Sequence, residues 1–425
     1  MDTAPALTAM DITPITAPLQ GRITLPGSKS ITNRALLVAA LSRGTSVLTG
    51  ALESDDTRHM ATALRAMGVE ITRDGTTLTV TSTGQLKAPA DPLFLGNAGT
   101  AMRFLTAACS FVEGEVILNG DAHMQKRPIA PLVAALASLG IDITAPTGCP
   151  PVIIRNAPGR TTPEVLRLDI DGSLSSQYVS ALLMAAPIAP APVEVHVGGD
   201  QIGSQGYVDI TLSVMRAFGA QIEQIGPLAW RIAATGYQAT DYAIEPDASA
   251  ATYIWAWEAL GGGRVDIGTS PERMHQPDAR AHQVIATFPD FPERIVGEQM
   301  QDAIPTLAVM AMFANRPVRF ERVANLRVKE CDRVSALATE LNRILPGLAR
   351  EDGDDLIVNG DPALRGRHLP AEIFTYADHR IAMSFALAGL MVDGIRILDP
   401  GCVSKTYPAY WRDLAAVGAT LTPVP

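Results

Sequence analysis

One phrase recurs along this chain and limits what it can fold into. A run of helix formers ends at a glycine, and an apolar-alternating strand follows. The copies are Ala63-Leu-Arg-Ala-Met-Gly68-Val-Glu-Ile71, Ala135-Leu-Ala-Ser-Leu-Gly140-Ile-Asp-Ile143, Val214-Met-Arg-Ala-Phe-Gly219-Ala-Gln-Ile222 and Leu414-Ala-Ala-Val-Gly418-Ala-Thr-Leu421, with a looser one from Leu341 to Gly347. Glycine suits the left-handed turn that ends a helix. In the first copy Asp74-Gly75 then turns the chain into a second strand, Thr77 to Val80. Most of the spacings are seventy-odd residues, and the wide gap from Gly219 to Gly347 leaves room for one degraded copy near residues 280–290. The repeat predicts six related units, three per half, each of two helices and a small sheet. The fold class is therefore α/β (α+β). Residues 1–20, rich in Pro and Thr, are expected to add an edge strand.

A chain of 425 residues is too long for one simple core, so two domains are expected. With 47% hydrophobic and 18% charged residues the composition is that of a soluble globular protein. No apolar run reaches the ~18 residues of a membrane span, and the first 25 residues lack the pattern of a signal peptide. The four cysteines, Cys109, Cys149, Cys331 and Cys402, are scattered, which suits free thiols in the cytoplasm rather than disulfides or a zinc site. A net charge of −10 excludes a general nucleic-acid binder. It leaves open a binder of small anions whose few cations converge.

The stretch Leu25-Pro-Gly-Ser-Lys-Ser-Ile-Thr-Asn-Arg34 opens a helix near Ser28 or Ser30, with Lys29 and Arg34 close to its start. Free N–H groups and positive charge make such an end a seat for a phosphate or carboxylate. The glycine spacing is not that of a nucleotide P-loop. Comparable helix starts are expected at Gly96-Asn97-Ala98-Gly99, Ser175-Ser176-Gln177, Ser204-Gln205-Gly206-Tyr207 and Asp247-Ala248-Ser249. Others fall near Asp302, Lys329-Glu330-Cys331-Asp332-Arg333 and Tyr376-Ala377-Asp378-His379-Arg380. Arg127, Arg333, Arg380 and Lys405 lie in conspicuous polar motifs, and several such cations at one site imply a highly charged small substrate. The plain alternative is that each pairs with a neighbouring acid on a solvated face. Asp302 and Glu330 are the acid–base candidates, although Asp302 could instead cap the apolar helix that follows it. The histidines have no metal-ligand spacing, and Asp378-His379 reads as a helix cap.

These motifs together resemble one family. Leu25-Pro-Gly-Ser-Lys-Ser30 with Asn33-Arg34, Leu95-Gly-Asn-Ala-Gly-Thr-Ala-Met-Arg103, Lys126-Arg-Pro128, Ser175-Ser-Gln177, Asp302-Ala-Ile-Pro, Arg327-Val-Lys-Glu-Cys-Asp-Arg333, Asp378-His-Arg380 and Ser404-Lys-Thr406 look like those of the EPSP synthases, in order, from about residue 20 to 412. The weakest stretch is 265–300. The resemblance implies two similar domains, 1–26 plus 247–425 and 27–246, each of three units with helices inside and sheets outside, an inside-out barrel closing on substrate. It implies transfer of the enolpyruvyl group of phosphoenolpyruvate to the 5-hydroxyl of shikimate 3-phosphate through a tetrahedral intermediate, by a monomer, with no cofactor and no metal. Shikimate 3-phosphate would be held by Lys29, Ser30, Arg34, Ser175, Ser176, Gln177, Ser204, Tyr207, Asp302, Asn325 and Lys329. Phosphoenolpyruvate would be held by Lys29, Asn97, Gly99, Arg127, Gln177, Arg333, Arg380 and Lys405. Asp302, Glu330 and Lys29 would be catalytic, and the small Gly99 would leave room for glyphosate.

Three positions depart from the family pattern: Phe104 in place of a proline, His123 in place of an arginine, and Cys331 in place of a hydroxyl residue. The nearest rival is the sister transferase acting on UDP-N-acetylglucosamine, but the reactive cysteine it carries near the Arg127 region is absent from residues 111–130. A second rival, a non-catalytic anion-binding protein on the same scaffold, has no use for carboxylates in its pocket.

Overall fold

The glycine of each repeated phrase ends its helix in the left-handed region, with φ of +91° at Gly68, +75° at Gly140, +82° at Gly219, +85° at Gly347 and +115° at Gly418. A side chain there would be strained, which is why the phrase keeps glycine. The computed structural model describes residues 7–157, 163–172, 175–199 and 202–425. The described helices are α1 (Lys29–Ala40), α2 (Asp55–Ala66), α3 (Gly99–Cys109), α4 (Ala130–Ala137), α5 (Ser176–Ala185), α6 (Gln205–Ala217), α7 (Ala248–Gly261), α8 (Ala281–Ile285), α9 (Ile304–Ala311), α10 (Arg333–Ile344), α11 (His379–Met391) and α12 (Tyr410–Ala416). The chain divides into two compact units, Met1–Pro26 with Asp247–Pro425, and Gly27–Pro246.

Each repeat uses its helices in the same way. Helices α1, α3, α5, α7, α9 and α11 are buried on nearly every side, α3 and α9 at every residue. They are rich in Ala, Leu and Met and lack a polar face, as a helix wrapped in protein requires. Their partners α2, α6 and α10 are amphipathic and keep one side toward solvent. Helices therefore lie inside and sheets outside, and among the described residues no sheet closes into a barrel.

The sheets share one topology. In the third repeat Leu166–Asp171 runs parallel to Val193–Gly198, which pairs antiparallel with Ala229–Ile232, which pairs antiparallel with Ile222–Gly226. Helix α5 makes the crossover that the parallel pair needs. The same order holds in Leu93–Phe94, Gly114–Asn119, Val152–Asn156, Asp142–Thr144, and in Arg294–Val296, Val318–Glu321, Asp355–Val358, Ala349–Asp352.

Three sheets borrow a strand from far along the chain. In the first repeat Tyr237–Gln238 takes the outer parallel place beside Ser42–Thr49. In the last, Ala9–Thr13 fills the place between Asp393–Leu398 and Thr420–Val424. The N-terminal strand is thus interior, not the expected edge strand: the last repeat contributes only one arm of its hairpin after α12, and Ala9–Thr13 takes the vacant middle. The degraded copy near 280–290 keeps helix α8 but has no hairpin, and its sheet is the parallel pair Leu19–Arg22 with Gly263–Asp266. The next residues, Phe288-Pro-Asp-Phe-Pro292, explain the loss. Pro289 and Pro292 have no N–H to give a ladder.

Candidate active site

In the unit Gly27–Pro246 the expected residues cluster at the starts of buried helices. Ser28 caps α1, its Oγ accepting the Ile31 backbone N–H at 3.4 Å. Lys29, in the first turn, forms an ion pair with Asp56 of α2 at 3.5 Å. Ser175 caps α5, accepting the Gln177 N–H at 3.3 Å, with Ser176 following at the first position of the helix. Ser204 precedes α6 in the left-handed region at φ 62°.

Arg34 lies deeper than a ligand-binding arginine need be, at 2% exposure. Its Nε donates to Thr211 Oγ1 at 2.7 Å, Nη1 to the Ser30 carbonyl at 3.0 Å, and Nη2 to Ser180 Oγ and the Tyr207 carbonyl, both at 3.2 Å. It ties α1 to α5 and α6 and so fixes Ser30 and Tyr207. Burial pulls its pKa down to about 10. The guanidinium lies 5.1 Å from the Phe104 ring centroid, so the phenylalanine gives this buried cation an aromatic face.

A second cluster surrounds Gly99. Arg127 Nη1 donates to Asn97 Oδ1 at 3.1 Å. Arg103 Nη1 donates to the Gly99 carbonyl at 3.2 Å and to Gln177 Oε1 at 2.8 Å. A Cβ on Gly99 would lie 2.7 Å from Arg127 Cζ and 2.8 Å from Arg103 Nη1. Arg103 thus joins Gly99 to Gln177, while Arg127 meets Asn97 and lies against Gly99. Arg103 lies inside a quoted motif, yet only its contacts reveal its role.

In the other unit a nearly buried network holds both candidate acid–base residues. Arg333 Nη1 donates to Asp302 Oδ1 at 3.0 Å, its Nη2 to Glu330 Oε2 at 2.9 Å, and its Nε to Asp378 Oδ2 at 2.7 Å. Arg380 Nη2 donates to Asp302 Oδ2 at 2.9 Å, and Lys405 Nζ lies 3.0 Å from Glu330 Oε1. Burial alone would lower the pKa of Arg333, but Asp378, Glu330 and Asp302 outweigh it and hold the guanidinium charged. Arg380 is raised in the same way against its burial, chiefly by Asp302. The arginines do pair with acids, but inside the unit and not on a solvated face.

Asn325 and Lys329 flank Arg327 in the turn that leads to α10. Arg327 anchors that turn through Asp332 at 2.8 Å, Glu351 at 2.7 Å and Asp354 at 2.9 Å. Buried Asn325 Oδ1 has no hydrogen-bond partner. Asp332 and Asp378 cap α10 and α11. Asp302 does not cap α9, contrary to the alternative open in the sequence. Both its carboxylate oxygens face arginines, and Asp278 takes the Asp302 and Ala303 backbone N–H groups just ahead of the helix. Asp278 lies in the weakest stretch of the sequence, where nothing marked it.

Comparison with known proteins agrees with this geometry. The family model for EPSP synthase (3-phosphoshikimate 1-carboxyvinyltransferase) matches residues 13–414. A 3-phosphoshikimate 1-carboxyvinyltransferase of Rhizobium leguminosarum bv. trifolii (strain WSM2304) is 61% identical over 412 residues, covering 97% of either chain. Another, of Pseudomonas syringae pv. syringae (strain B728a), is 58% identical over 413 residues, covering 97% of this chain and 98% of its own. A solved EPSP synthase structure from Acinetobacter baumannii is 26% identical and superposes with a TM-score of 0.78, covering 98% of this chain and 100% of that one. With its motifs set on buried helix starts and its match running nearly from end to end, the chain belongs to the EPSP synthase family.

Proposed function

We propose that this chain transfers the enolpyruvyl group of phosphoenolpyruvate to the 5-hydroxyl of shikimate 3-phosphate, releasing phosphate. The observation that carries the mechanism is the Arg333 fork, which holds Asp302 and Glu330 on adjacent nitrogens. One guanidinium fixes the separation of the two carboxylates that must move protons at opposite ends of the reaction.

Both substrates are polyanions, and their mutual repulsion has to be offset. Lys29, Asn97, Gly99, Arg127, Gln177, Arg333, Arg380 and Lys405 hold phosphoenolpyruvate. Ser30, Ser175, Ser176, Ser204, Tyr207, Asn325 and Lys329 hold shikimate 3-phosphate, with Arg34 fixing Ser30 and Tyr207. In the structure Arg333, Arg380 and Lys405 pair with internal carboxylates. The anionic groups of phosphoenolpyruvate compete for those cations. Asp302, turned from its arginines, accepts the proton of the 5-hydroxyl as that oxygen attacks C2. Glu330 delivers a proton to the methylene carbon C3, and a tetrahedral adduct forms. The C2–O bond to phosphate then breaks, the methyl group returns a proton to Glu330, and the C2–C3 double bond is restored as phosphate leaves. Lys29 stabilises the charge that moves.

The same reading makes the protein a cytoplasmic monomer acting on small molecules. No described helix is long and apolar enough to cross a membrane. The test is phosphate release from phosphoenolpyruvate with shikimate 3-phosphate, beside the same assay with UDP-N-acetylglucosamine. Release with the first alone is expected. Release with the nucleotide sugar alone, or with neither from folded protein, overturns the reading.

A further inference from the structure

Helix α9 begins without a cap of its own, since Ala303 stands at the N-cap position and has no side chain to offer. Asp278, 24 residues upstream of Asp302 in the shortened repeat, instead holds the two backbone N–H groups that lead into the helix. Asp278 Oδ1 accepts from the Asp302 N–H at 3.1 Å and from the Ala303 N–H at 3.2 Å. Its Oδ2 accepts from Ser249 Oγ at 3.0 Å. Ser249 sits in the first turn of α7, which Asp247 caps. Asp278 is fully buried, and Arg380 feels its charge.

A buried carboxylate is a costly way to hold two backbone N–H groups ahead of one short helix. What the long-range contact adds is a fixed place for Asp302. The Asp302 carboxylate is gripped by Arg333 and Arg380, and its backbone is gripped by Asp278. When substrate draws the two arginines away, the backbone grip is kept. We propose that Asp278 is the positioning residue for Asp302, setting the backbone from which that carboxylate meets the attacking hydroxyl, with Ser249 fixing the Asp278 rotamer. The shortened repeat thereby keeps the one side chain of its turn Pro277–Arg280 that reaches the start of α9. This role rests on the enolpyruvyl-transfer reading above.

The test measures kcat, the KM of each substrate and shikimate 3-phosphate binding in the full chain and in Asp278→Ala, Asp278→Asn and Ser249→Ala. Asparagine keeps an oxygen for both N–H groups and turns its NH2 toward Ser249, so it conserves position and discards charge. Asp278→Ala is expected to lose on the order of a hundredfold in kcat, the scale of a misplacement of about 1 Å. Shikimate 3-phosphate binding and both KM values should stay within about threefold, since no binding group is removed. Asp278→Asn should recover most of that loss, and Ser249→Ala should lower kcat a few-fold. If Asp278→Ala does not fold, the other two variants decide. A folded Asp278→Asn that loses a hundredfold, a Ser249→Ala indistinguishable from the parent, or a loss confined to KM overturns the role. An inactive parent chain overturns it together with the functional reading, whereas an active parent with the wrong variant pattern overturns Asp278 alone.

Discussion

Asp378 grips Arg333 with both carboxylate oxygens, Nε to Oδ2 at 2.7 Å and Nη2 to Oδ1 at 3.2 Å, while Oδ1 also accepts the Arg380 N–H and caps α11. Both side chains are all but fully buried. Removing Asp378 leaves Arg333 paired with Asp302 and Glu330 but takes away its two-oxygen partner, and a hydrogen bond to a charged group is typically worth ~1.5–3 kcal/mol. Asp378→Ala should therefore lower unfolding stability by about that much, plus ~1 kcal/mol for the lost cap. Denaturant titration of parent and variant checks this, and a loss under ~1 kcal/mol would contradict the pairing.

Glu330→Gln keeps the shape of the side chain and removes the proton that C3 needs. Turnover should fall by about 10²–10⁴-fold, the usual share of general acid–base catalysis. Binding of both ligands should persist, as read by calorimetry. Normal turnover in this variant would remove Glu330 from the mechanism.

Gly99→Ala should fold, because the atoms its Cβ meets are the mobile ends of Arg127 and Arg103. Those ends must nevertheless move. Losing one charged hydrogen bond to phosphoenolpyruvate, worth ~1.5–3 kcal/mol, should raise its KM by about tenfold or more. Micromolar glyphosate should inhibit the parent at limiting phosphoenolpyruvate and act less on the variant. Steady-state kinetics with and without glyphosate measures both effects.

Thiol labelling should separate the cysteines. Burial pushes the Cys109 thiol up to about 12 and raises Cys331 and Cys402 as well, whereas Cys149 is only partly buried. A raised thiol pKa means less thiolate at pH 8, so these three should label slowly and accelerate as pH climbs above 9. For Cys109 the thiolate deficit alone is on the order of a thousandfold. Mass spectrometry after timed alkylation should find Cys149 modified first.

The repeat was readable because each copy carries its own punctuation, and Gly68 or Gly219 needs no distant partner to end a helix. Caps at Ser28, Ser175, Asp247, Asp332 and Asp378 were readable for the same reason. Asp302 was not: its neighbours in sequence suit a cap, but its carboxylate pairs with Arg333 and Arg380 and its N–H is held by Asp278 from another repeat. Arg34 looked like a ligand residue, yet its partners Ser180 and Thr211 lie 146 and 177 residues away. Ala9–Thr13 read as an edge strand because the sequence does not show that its neighbours are Asp393–Leu398 and Thr420–Val424.

The borrowed strand also sets an order of events during synthesis. Gly27–Pro246 is one continuous stretch and can fold as soon as it leaves the ribosome. Ala9–Thr13 emerges earlier but must wait for Thr420–Val424, and the Thr8 backbone partner Val424 lies 416 residues on. At about 5–20 residues per second that is a delay of roughly 20–80 s. For most of that time neither Asp393–Leu398 nor Thr420–Val424 exists to pair with Ala9–Thr13, so its sheet closes late.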